Sequence, residues 1–471
     1  MKKRYTIFIA SYMLIGSSGF AQYTKLFDFS GTNGKYPNGA LTSDGTFLYG
    51  MTNAGGASNN DGVIYKIKQD GTGFVKLFDS LSATLGGGNL SHSLISDSTF
   101  LYGMGSLGGS SGNCLGGCGT IFKIKPDGTG YSKVLDFDGI NGYAPVGGLI
   151  SDGTFLYGMA YGGGAGGACS SQLGCGTVFK IKPDGTGFVK LLDFAGTNGK
   201  QPNGNLFSDS TFLYGMTEQG GINDSGTVFK IKPDGTNYSK LTDFSGGTNG
   251  KHPRGTFISD GTFLYGVSAG GTNSYGVIFK VKPDGTNFTT LWNFTDSLNG
   301  KGPSPLVFDG TFLYGTTIAG GTTDNGTIFK IKTDGTGFVK LLDFNYWNGS
   351  FPMSPLIIEG SFLYGTTYDG GIHGDGVIYK YALPSAGIVE TNNDSEITVY
   401  PNPGNGIFTI IANNVKKSQI EVFNIIGEKV YYSPINSEKS ECDLSTQTKG
   451  IYFMKVISEN KTISYKKIVI R

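Results

Sequence analysis

The chain has 471 residues, enough for a large core and for more than one domain. It contains 79 glycines, yet 13% of its residues are aromatic, so the glycine content does not indicate a disordered tract. A formal net charge of +1 gives no electrostatic reason to expect nucleic acid or an anionic membrane as a partner.

Residues 1–21 have the features of a secretory signal peptide. A basic segment, residues 1–4, precedes an apolar run over residues 5–16, and Gly19 and Ala21 are the small residues that a signal peptidase reads. The pattern predicts cleavage after Ala21. A membrane anchor is the alternative, but the run is short for a spanning helix of about 20 residues. Export places the remaining chain in an oxidising compartment.

A tetrapeptide, Phe-Leu-Tyr-Gly, recurs along the chain with a period of about 50 residues. Its seven copies begin at Phe47, Phe100, Phe155, Phe212, Phe263, Phe312 and Phe362. A period of this length is typical of solenoids, propellers and other repeat arrays. The repeats therefore determine the architecture that the sequence predicts.

Each repeat contains four short strand patterns, which the first repeat shows at residues 39–45, 46–52, 62–68 and 75–79. The second pattern has apolar or small residues on both faces, so it requires cover on both sides. Asp-Gly pairs between the patterns provide the positive φ angles that tight hairpins need. Four strands joined by three hairpins form the antiparallel sheet of a β-propeller blade.

The order of the patterns predicts how the array closes. A copy of the fourth pattern, residues 25–29, precedes the first tetrapeptide, and no copy follows Tyr381. Pairing residues 23–29 with residues 376–382 would complete the last repeat and remove two exposed sheet edges. An open solenoid would keep both edges and would need polar capping repeats. The sequence therefore predicts an all-β fold in which residues 22–384 form a seven-bladed β-propeller closed by its N-terminal strand.

The connections between strands differ in their variability. Those from first to second strand and from third to fourth strand are tight and nearly invariant, whereas the others are long and differ in every repeat. Variable loops on a rigid scaffold favour binding, and their aromatic and basic residues are candidates for contact with a glycan or protein. The candidates are Tyr36, Tyr143, Tyr161, His252, Arg254, Tyr346, Trp347 and Tyr368. The alternative for each is that it fills the axial channel or packs loop against loop.

The motifs Gly-Gly, Gly-Thr-Val-Phe-Lys-Ile and Asp-Gly-Thr-Phe-Leu-Tyr-Gly resemble those of the bacterial GloVer tandem repeat. The resemblance covers roughly residues 23–384. It implies no catalytic residues, because the family is defined by its repeat and not by an activity. The second repeat departs from the pattern, since residues 81–89 lack the Asn-Gly-x-x-Pro found at residues 33–37 and 198–202.

The repeats stop at Pro384, and a polar linker over residues 385–395 leads to a different module. Residues 396–471 contain alternating strands separated by turns, which predict a small β-sandwich. The module resembles the type A C-terminal sorting domain of type IX secretion. The motif residues are Pro401, Asn402, Pro403, Gly450, Tyr452, Lys466 and Lys467. The resemblance implies contact with the type IX secretion machinery, and a mature protein that is secreted or on the outer cell surface without a membrane span.

No motif for a catalytic nucleophile, a phosphate loop or a dinucleotide is present, and no cofactor is expected. No metal is expected either, because the Asp-Gly-Thr turns lack the spacing of a calcium site. The three histidines, His92, His252 and His373, have no ligand-like spacing and are interpreted as isolated surface residues. The Asp of the Leu-Asp-Phe pattern recurs in nearly every repeat, which predicts a structural hydrogen-bond acceptor and not a catalyst.

The function predicted from these features is a secreted or cell-surface binding or adhesion scaffold. A secreted carbohydrate-active enzyme, either a glycoside hydrolase or a lyase, is the alternative, because loop carboxylates could form a catalytic pair. The carboxylates available for such a pair are Glu218, Asp224, Asp324, Asp369 and Asp375. Repeat symmetry and the missing motifs favour the scaffold over the enzyme.

Four of the five cysteines lie in the second-to-third-strand loops of two neighbouring repeats. In an exported protein such pairs predict disulfides, and chain proximity favours Cys114–Cys118 and Cys169–Cys175. A zinc site is the alternative, although the spacings differ from those of a zinc ribbon. Cys442 would remain unpaired.

Overall fold

The computed structural model describes residues 22–57, 61–79, 88–90, 92–114, 116–165, 169, 174–383, 397–412, 418–424, 428–435, 437–457 and 463–471. The predicted signal peptide and the predicted linker over residues 385–395 lie outside the described residues. The chain divides into two compact units, Met1–Leu383 and Pro384–Arg471. The described residues form β-strands and two short 3-10 turns, so the protein is all-β as predicted.

Within the described residues, the first unit contains seven antiparallel sheets, one for each repeat. The first strand and the three sheets that follow contain β1 (Tyr23–Asp28), β2 (Lys35–Pro37), β3 (Thr42–Ser43), β4 (Phe47–Ala54), β5 (Val63–Lys68), β6 (Val75–Asp79), β7 (Ile95–Ser96), β8 (Leu101–Gly105), β9 (Thr120–Ile124), β10 (Ser132–Asp136), β11 (Ile150–Ser151), β12 (Leu156–Ala160), β13 (Thr177–Ile181) and β14 (Val189–Asp193).

The other four sheets of this unit follow the same order. Their strands are β15 (Lys200–Pro202), β16 (Phe207–Ser208), β17 (Leu213–Gln219), β18 (Thr227–Ile231), β19 (Ser239–Asp243), β20 (Lys251–Ser259), β21 (Leu264–Ala269), β22 (Val277–Val281), β23 (Thr289–Asn293), β24 (Lys301–Pro303), β25 (Val307–Phe308), β26 (Phe312–Ala319), β27 (Thr327–Lys332), β28 (Val339–Asp343), β29 (Ile357–Glu359), β30 (Phe362–Thr367) and β31 (Val377–Ala382). The 3-10 turns are Gly247–Asn249 and Ser297–Asn299.

The first strand of a repeat is less regular than the sequence predicts. In the first repeat it is divided into β2 and β3, and both segments pair with β4. The interruption contains Gly39, where a Cβ atom would overlap the carbonyl oxygen of His92 in the next repeat. The backbones of neighbouring repeats approach each other too closely here for a side chain, so the sheet is broken at this point.

The N-terminal strand belongs to the last repeat. β1 pairs with β31 in the antiparallel sheet β1-β31-β30-β29, with Tyr23 opposite Tyr381 and Asp28 opposite Val377. The backbone N–H of Phe29 extends this pairing by donating to the carbonyl of Gly376 at 3.0 Å. This pairing is the one predicted from the order of the strand patterns.

Seven clusters of buried apolar side chains lie between neighbouring sheets in the described part of this unit. One of them joins the seventh sheet to the first, through Tyr364 and Ile378 on one side and Leu48 and Tyr65 on the other. We call this junction the terminal seam and the other six junctions the internal seams. Every sheet is therefore packed on both faces, which explains the apolar residues on both sides of the Phe-Leu-Tyr-Gly strand.

The tight turns lie at one end of the sheets, which we call the turn end. The aspartate carboxylate of each turn accepts hydrogen bonds from residues of the same hairpin. Asp44 accepts the N–H groups of Thr46 and Phe47 at 2.8 and 2.7 Å and the Tyr49 hydroxyl at 2.8 Å. The same three bonds occur at Asp97, Asp152, Asp209, Asp260 and Asp309. Turn geometry accounts for these aspartates, as predicted.

The opposite end of the sheets carries the long loops, and we call it the loop end. There the aspartates of the fourth strands bind lysines and loop N–H groups. Asp243 forms an ion pair with Lys240 at 2.8 Å and accepts the N–H of Ile222, in the second-to-third-strand loop, at 3.0 Å. The corresponding ion pairs are Lys25–Asp28, Lys76–Asp79, Lys133–Asp136, Lys190–Asp193 and Lys340–Asp343. These contacts confirm the predicted role as hydrogen-bond acceptors.

The second unit contains two antiparallel sheets, ordered β32-β33-β36 and β35-β34-β37-β38. Their strands are β32 (Ile397–Tyr400), β33 (Ile407–Ala412), β34 (Ser418–Phe423), β35 (Lys429–Ile435), β36 (Lys439–Asp443), β37 (Gly450–Ile457) and β38 (Ile463–Ile470). A single buried cluster takes residues from both sheets, among them Phe408, Ile420 and Met454. Cys442 is buried and free, and burial followed by the nearby Asp443 charge raises the pKa of its thiol to about 12.

Candidate functional site

The loop end presents a ring of residues in an uncommon backbone conformation. In each repeat the residue that precedes the buried Pro of Asn-Gly-x-x-Pro, or its equivalent, has a positive φ. These residues are Tyr36 (φ 58), Asn89 (φ 59), Ala144 (φ 48), Gln201 (φ 57), His252 (φ 51), Gly302 (φ 67) and Phe351 (φ 53). Only one of them is glycine, and a positive φ is unfavourable for the others.

Contacts with the preceding repeat explain this conformation. The Tyr36 N–H donates to the carbonyl of Asp375 at 2.9 Å, and Pro37 packs where a Cβ atom on Gly376 would lie. The backbone is thus fixed by the neighbouring repeat while the side chain varies from repeat to repeat. Backbone strain of this kind is common where a surface has a function.

Four of the predicted aromatic residues come together at the loop end of the terminal seam. Tyr36 and Tyr368 are stacked, with ring centroids 4.7 Å apart and planes 10° from parallel. Tyr346 and Trp347 are 44% and 68% exposed and meet edge to face at 6.1 Å. The Tyr346 carbonyl accepts the N–H of Gly371 at 2.7 Å, which joins its loop to the one after Tyr368. We call these four residues the aromatic cluster.

Two carboxylates accompany the aromatic cluster. Partial burial and the neighbouring Asp375 charge raise the pKa of Asp369. Asp375 also faces Lys35 at 3.8 Å. Burial, and then the charges of Asp369 and Asp375, raise the pKa of the Tyr36 hydroxyl. The aromatic cluster thus combines flat apolar rings with two neighbouring carboxylates, one of which is paired with Lys35.

The other predicted binding residues lie at internal seams. Tyr143 is half-buried and packs against the core between the second and third sheets, which favours the alternative of loop packing. Tyr161 is half-buried, and burial followed by the Glu218 charge raises the pKa of its hydroxyl. His252 Nδ1 lies 2.9 Å from the Glu218 carbonyl oxygen. Arg254 is half-buried in the wall of a cavity.

Four of the five candidate carboxylates have their own structural partners, among them Asp375, which pairs with Lys35. Asp224 pairs with Lys200 at 2.9 Å and Asp324 with Lys301 at 2.7 Å. Glu218 accepts the Asn203 side-chain N–H at 3.2 Å. Asp369 is the fifth, and the neighbouring Asp375 charge acts on it.

A cavity of about 280 Å³ is lined by segments of all seven repeats. Its wall includes Asn38, His92, Val146, Asn203, Arg254, Ser304 and Met353, one from each repeat in chain order. The backbones of neighbouring repeats lie close together in this wall: a Cβ atom on Gly204 would overlap the carbonyl oxygen of Gly255. We call this space the seven-repeat cavity.

His92 was predicted as an isolated surface histidine, and this prediction is wrong. It is half-buried in the wall of the seven-repeat cavity, with φ 101. Gly147, Gly204 and Gly255 occupy the same position in other repeats, with φ 113, 124 and 89. Alignment of the repeats would have identified a histidine at a glycine position, but the histidine spacing alone could not.

Both predicted disulfides are present, Cys114–Cys118 and Cys169–Cys175. They close small rings in the second-to-third-strand loops of repeats 2 and 3. In the part of the chain that the structure describes, no group of three or more His, Cys, Asp or Glu side chains could hold a metal ion.

The sorting motif forms one structural element in the second unit. The Asn402 side-chain oxygen accepts the N–H of Val469 in β38 at 3.0 Å, and Val469 in turn accepts from Gly404 at 2.9 Å. In the register of the sheet, Gly450 lies opposite Ile470. Three further motif positions belong to this sheet: Tyr452, Lys466 and Lys467. The Pro-Asn-Pro turn is thus tied to the last strand of the sequence. None of the described helical turns is long and apolar enough to cross a membrane.

Comparison with known families gives two matches. Residues 14–171 and 166–311 match the Gloeobacter/Verrucomicrobia repeat, and residues 398–471 match the secretion system C-terminal sorting domain. No curated protein matches the chain.

Several solved structures resemble the chain at low identity. PorZ, an essential bacterial surface component of the type-IX secretion system of Porphyromonas gingivalis, is 16% identical over 94% of this chain and 60% of its own, with a TM-score of 0.46. A puromycin-hydrolyzing peptidase of Mycobacterium tuberculosis is 11% identical over 81% of this chain and 59% of its own, with a TM-score of 0.48. TolB from Acinetobacter baumannii is 14% identical over 64% of each chain, with a TM-score of 0.38. The chain spans less than two thirds of each of these proteins.

Proposed function

The chain belongs to the Gloeobacter/Verrucomicrobia repeat family and carries a type IX secretion sorting domain, and from this premise we propose that it is an exported seven-bladed β-propeller that binds glycans or proteins at its loop end. The sorting domain makes it a secreted or cell-surface protein that engages the type IX secretion machinery. In this proposal residues 1–21 are a signal peptide, residues 22–384 the propeller and residues 396–471 a removable β-sandwich.

Three observations support a closed ring of seven blades. The described residues contain seven sheets, and β1, at the start of the repeat unit, pairs with β31, at its end. A buried cluster joins the seventh sheet to the first as others join consecutive sheets. One cavity takes its wall from all seven repeats. A closed ring accounts for all three, because an open array would leave the first and last sheets without these contacts.

The aromatic cluster is the observation that carries the binding function. Tyr346 and Trp347 expose large apolar rings that make no contribution to a core, and the stacked Tyr36 and Tyr368 extend the same surface. Exposed aromatic faces with polar edges suit the apolar faces of sugars and the contact residues of protein partners. Their position among variable loops allows specificity to change without a change in the scaffold.

The test is a glycan and surface-protein array probed with the repeat unit. We expect binding by the wild type and loss of most binding in the double variant Tyr346→Ala/Trp347→Ala, because both side chains are exposed and can be removed without loss of core. A matched control, Val75→Ala/Val189→Ala, removes two side chains that are 44% and 43% exposed at the turn end. Retained binding in the first variant, or equal loss in the control, would reject the loop end as the binding surface.

A carbohydrate-active enzyme remains the second candidate, because Asp369 has a raised pKa next to a second carboxylate. A carboxyl with a raised pKa beside an ionised one is the arrangement that acid catalysis of glycoside cleavage uses. Product formation from the array glycans, lost in Asp369→Asn and kept in Asp224→Asn, would support this function. Binding without turnover by the wild type would exclude it for those glycans.

The sorting role is tested by ending the chain at Pro384. We expect a folded repeat unit that stays in the periplasm, because its contacts lie within Met1–Leu383. The intact chain is the control and should appear outside the cell. Export of the shortened chain at the normal level would contradict the role of the tail.

A further inference from the structure

The seven-repeat cavity has an unusual distribution of charge. Of the described residues that line it, only Arg254 and His92 have ionisable side chains, and none is a carboxylate. Among the described residues no ion pair includes Arg254, and the aspartates of two neighbouring loops, Asp224 and Asp324, pair with lysines instead. The Glu218 carboxylate accepts a hydrogen bond from the wall residue Asn203 but does not itself line the cavity. Arginine is almost never fully buried unless it is paired, and its guanidinium carries five donors and no acceptor.

The neutral polar groups of the wall offer both donors and acceptors. The Ser93 hydroxyl oxygen accepts the N–H of Ala40 at 3.2 Å, and the Asn205 carbonyl oxygen accepts the N–H of Gly148 at 2.5 Å. In both side chains the acceptor is engaged, so that the hydroxyl proton and the amide NH₂ remain to be donated. The Asn203 side chain and the Ser304 hydroxyl instead use a donor, on Glu218 and on the Pro352 carbonyl, so the cationic Arg254 is the group that distinguishes this wall.

A second observation points to the same place. His92 has φ 101 at a position where Gly147 and Gly204 have φ 113 and 124, and its backbone N–H donates to the carbonyl of Asn38 at 3.0 Å. Glycine would remove the strain here, as it does in the other repeats. Residues held in strained backbone conformations cluster at functional sites.

We propose that the seven-repeat cavity binds the carboxylate of a small acidic ligand, no larger than one uronic-acid ring, with Arg254 as the principal contact. Arginine and carboxylate form paired, charge-assisted hydrogen bonds, and a cavity without lining carboxylates offers no competing anion. A volume of about 280 Å³ lies at the lower limit of ligand pockets, which typically have about 300–1,000 Å³, and this restricts the ligand to one ring. The site is distinct from the aromatic cluster, so the inference does not depend on the proposed function.

Calorimetric titration with galacturonate and glucuronate tests the proposal, with galactose and glucose as neutral controls. We expect the uronates to bind and the neutral sugars to bind at least tenfold more weakly. Arg254→Met should weaken uronate binding about 10- to 100-fold, the loss typical for a charged hydrogen-bond pair. The matched control is Lys251→Met, which removes an exposed positive charge from the same strand, β20, and should leave the affinity unchanged.

A second variant keeps the test valid if Arg254→Met does not fold. Met353→Glu places a carboxylate on the wall contributed by the seventh repeat and should abolish uronate binding by repulsion. A disaccharide that ends in glucuronate distinguishes the ligand sources: binding of the single ring indicates a free acid, and binding of the disaccharide alone indicates the end of a polymer. No binding of either, equal binding of neutral sugars, or unchanged affinity in both cavity variants would overturn the proposal.

Discussion

The terminal seam and the internal seams use the same core but differ at the loop end. At the terminal seam Phe29 meets Tyr65 at 5.3 Å and 64°, and at the internal seam of repeats 3 and 4 Phe194 meets Phe229 at 5.3 Å and 71°. The fourth-strand ion pairs are also alike, with Lys25–Asp28 and Lys240–Asp243 both at 2.8 Å. Sheet-to-sheet packing therefore does not distinguish the junction of the two chain ends from any other.

The differences at the terminal seam lie in exposed and polar groups. It has the Tyr36–Tyr368 stack and the Asp369 carboxyl with its raised pKa, whereas the loops of repeats 2 and 3 have disulfides. Repeated contacts that bury apolar surface contribute most of the stability, and they leave the loop end free to vary. The comparison teaches that the same packing between sheets can support different chemistry at each seam.

The largest change in stability is expected when a buried side chain in the core of the terminal seam is truncated. Phe29→Ala should lower the free energy of unfolding by about 3–5 kcal/mol, the usual cost of truncating a buried Phe. Phe194→Ala is the matched internal variant and should cost the same, since both side chains are almost fully buried. Chemical denaturation measures both. A near-neutral Phe29→Ala beside a costly Phe194→Ala would show that the terminal seam is not a structural junction.

Reduction of the two disulfides should have the next largest effect. Rings of this size restrict the unfolded chain by about 2 kcal/mol each in the loop-entropy model. Reductant should therefore lower the Tm and speed hydrogen exchange in the loops of repeats 2 and 3, while residues 369–375 at the terminal seam stay unchanged. Mass spectrometry of the non-reduced exported protein provides the control, and free thiols at all four positions would contradict the assignment.

A smaller and opposite effect is expected for Tyr65→Phe. The Tyr65 hydroxyl is buried over Gly50 and has no hydrogen-bond partner among the described residues, and burial raises its pKa. Its removal should stabilise the protein by about 1–2 kcal/mol, because an unsatisfied buried hydroxyl is destabilising. The reverse change at an internal seam, Phe229→Tyr, should destabilise it. Loss of stability in Tyr65→Phe would indicate a partner for this hydroxyl.

The smallest effect concerns two aspartates whose pKa values are shifted in opposite directions. The pKa of Asp369 is raised when folded, so its charge destabilises the protein at neutral pH and this cost disappears as the pH falls towards the unfolded value near 3.9. Asp369→Asn should therefore add less than about 1 kcal/mol at pH 7, and nothing below about pH 4.

Asp209 provides the matched control for this prediction. Partial burial raises its pKa, but hydrogen bonds from Phe212 N–H and the Tyr214 hydroxyl outweigh that effect and lower it. Its contribution to stability is present above the unfolded pKa and is lost as the pH falls through the folded value. Asp209→Asn should thus destabilise at pH 7. If both variants change stability with the same sign, the assigned environments are wrong.

Much of the fold follows from local signals in the sequence. The Asp-Gly turns predict hairpins, and Gly45 and Gly71 have φ 87 and 89. The pairing of β1 with β31 follows from the displaced fourth-strand pattern, because an unpaired edge is unfavourable. The break at Gly39 does not follow, since it depends on the approach of His92 from the next repeat.

The candidate site was only partly predictable. Tyr36 and Tyr368 are recognisable as variable aromatic residues, but their stacking joins positions more than 300 residues apart in the chain and depends on contact between the first and last repeats. The spacing of the histidines gave no sign that His92 lines the seven-repeat cavity. Only an alignment of the repeats identifies its position. Local sequence thus predicts elements, whereas the site depends on which elements the ring brings together.

Hydrogen exchange of the intact protein tests the closure of the ring most directly. The comparison is between peptides covering residues 23–29, the outer strand of the terminal seam, and residues 189–194, the equivalent internal strand. Pairing of β1 with β31 predicts equally slow exchange in both, because their amides belong to the same kind of sheet. Exchange of residues 23–29 at the rate of an unstructured peptide, with residues 189–194 still protected, would contradict the closed ring.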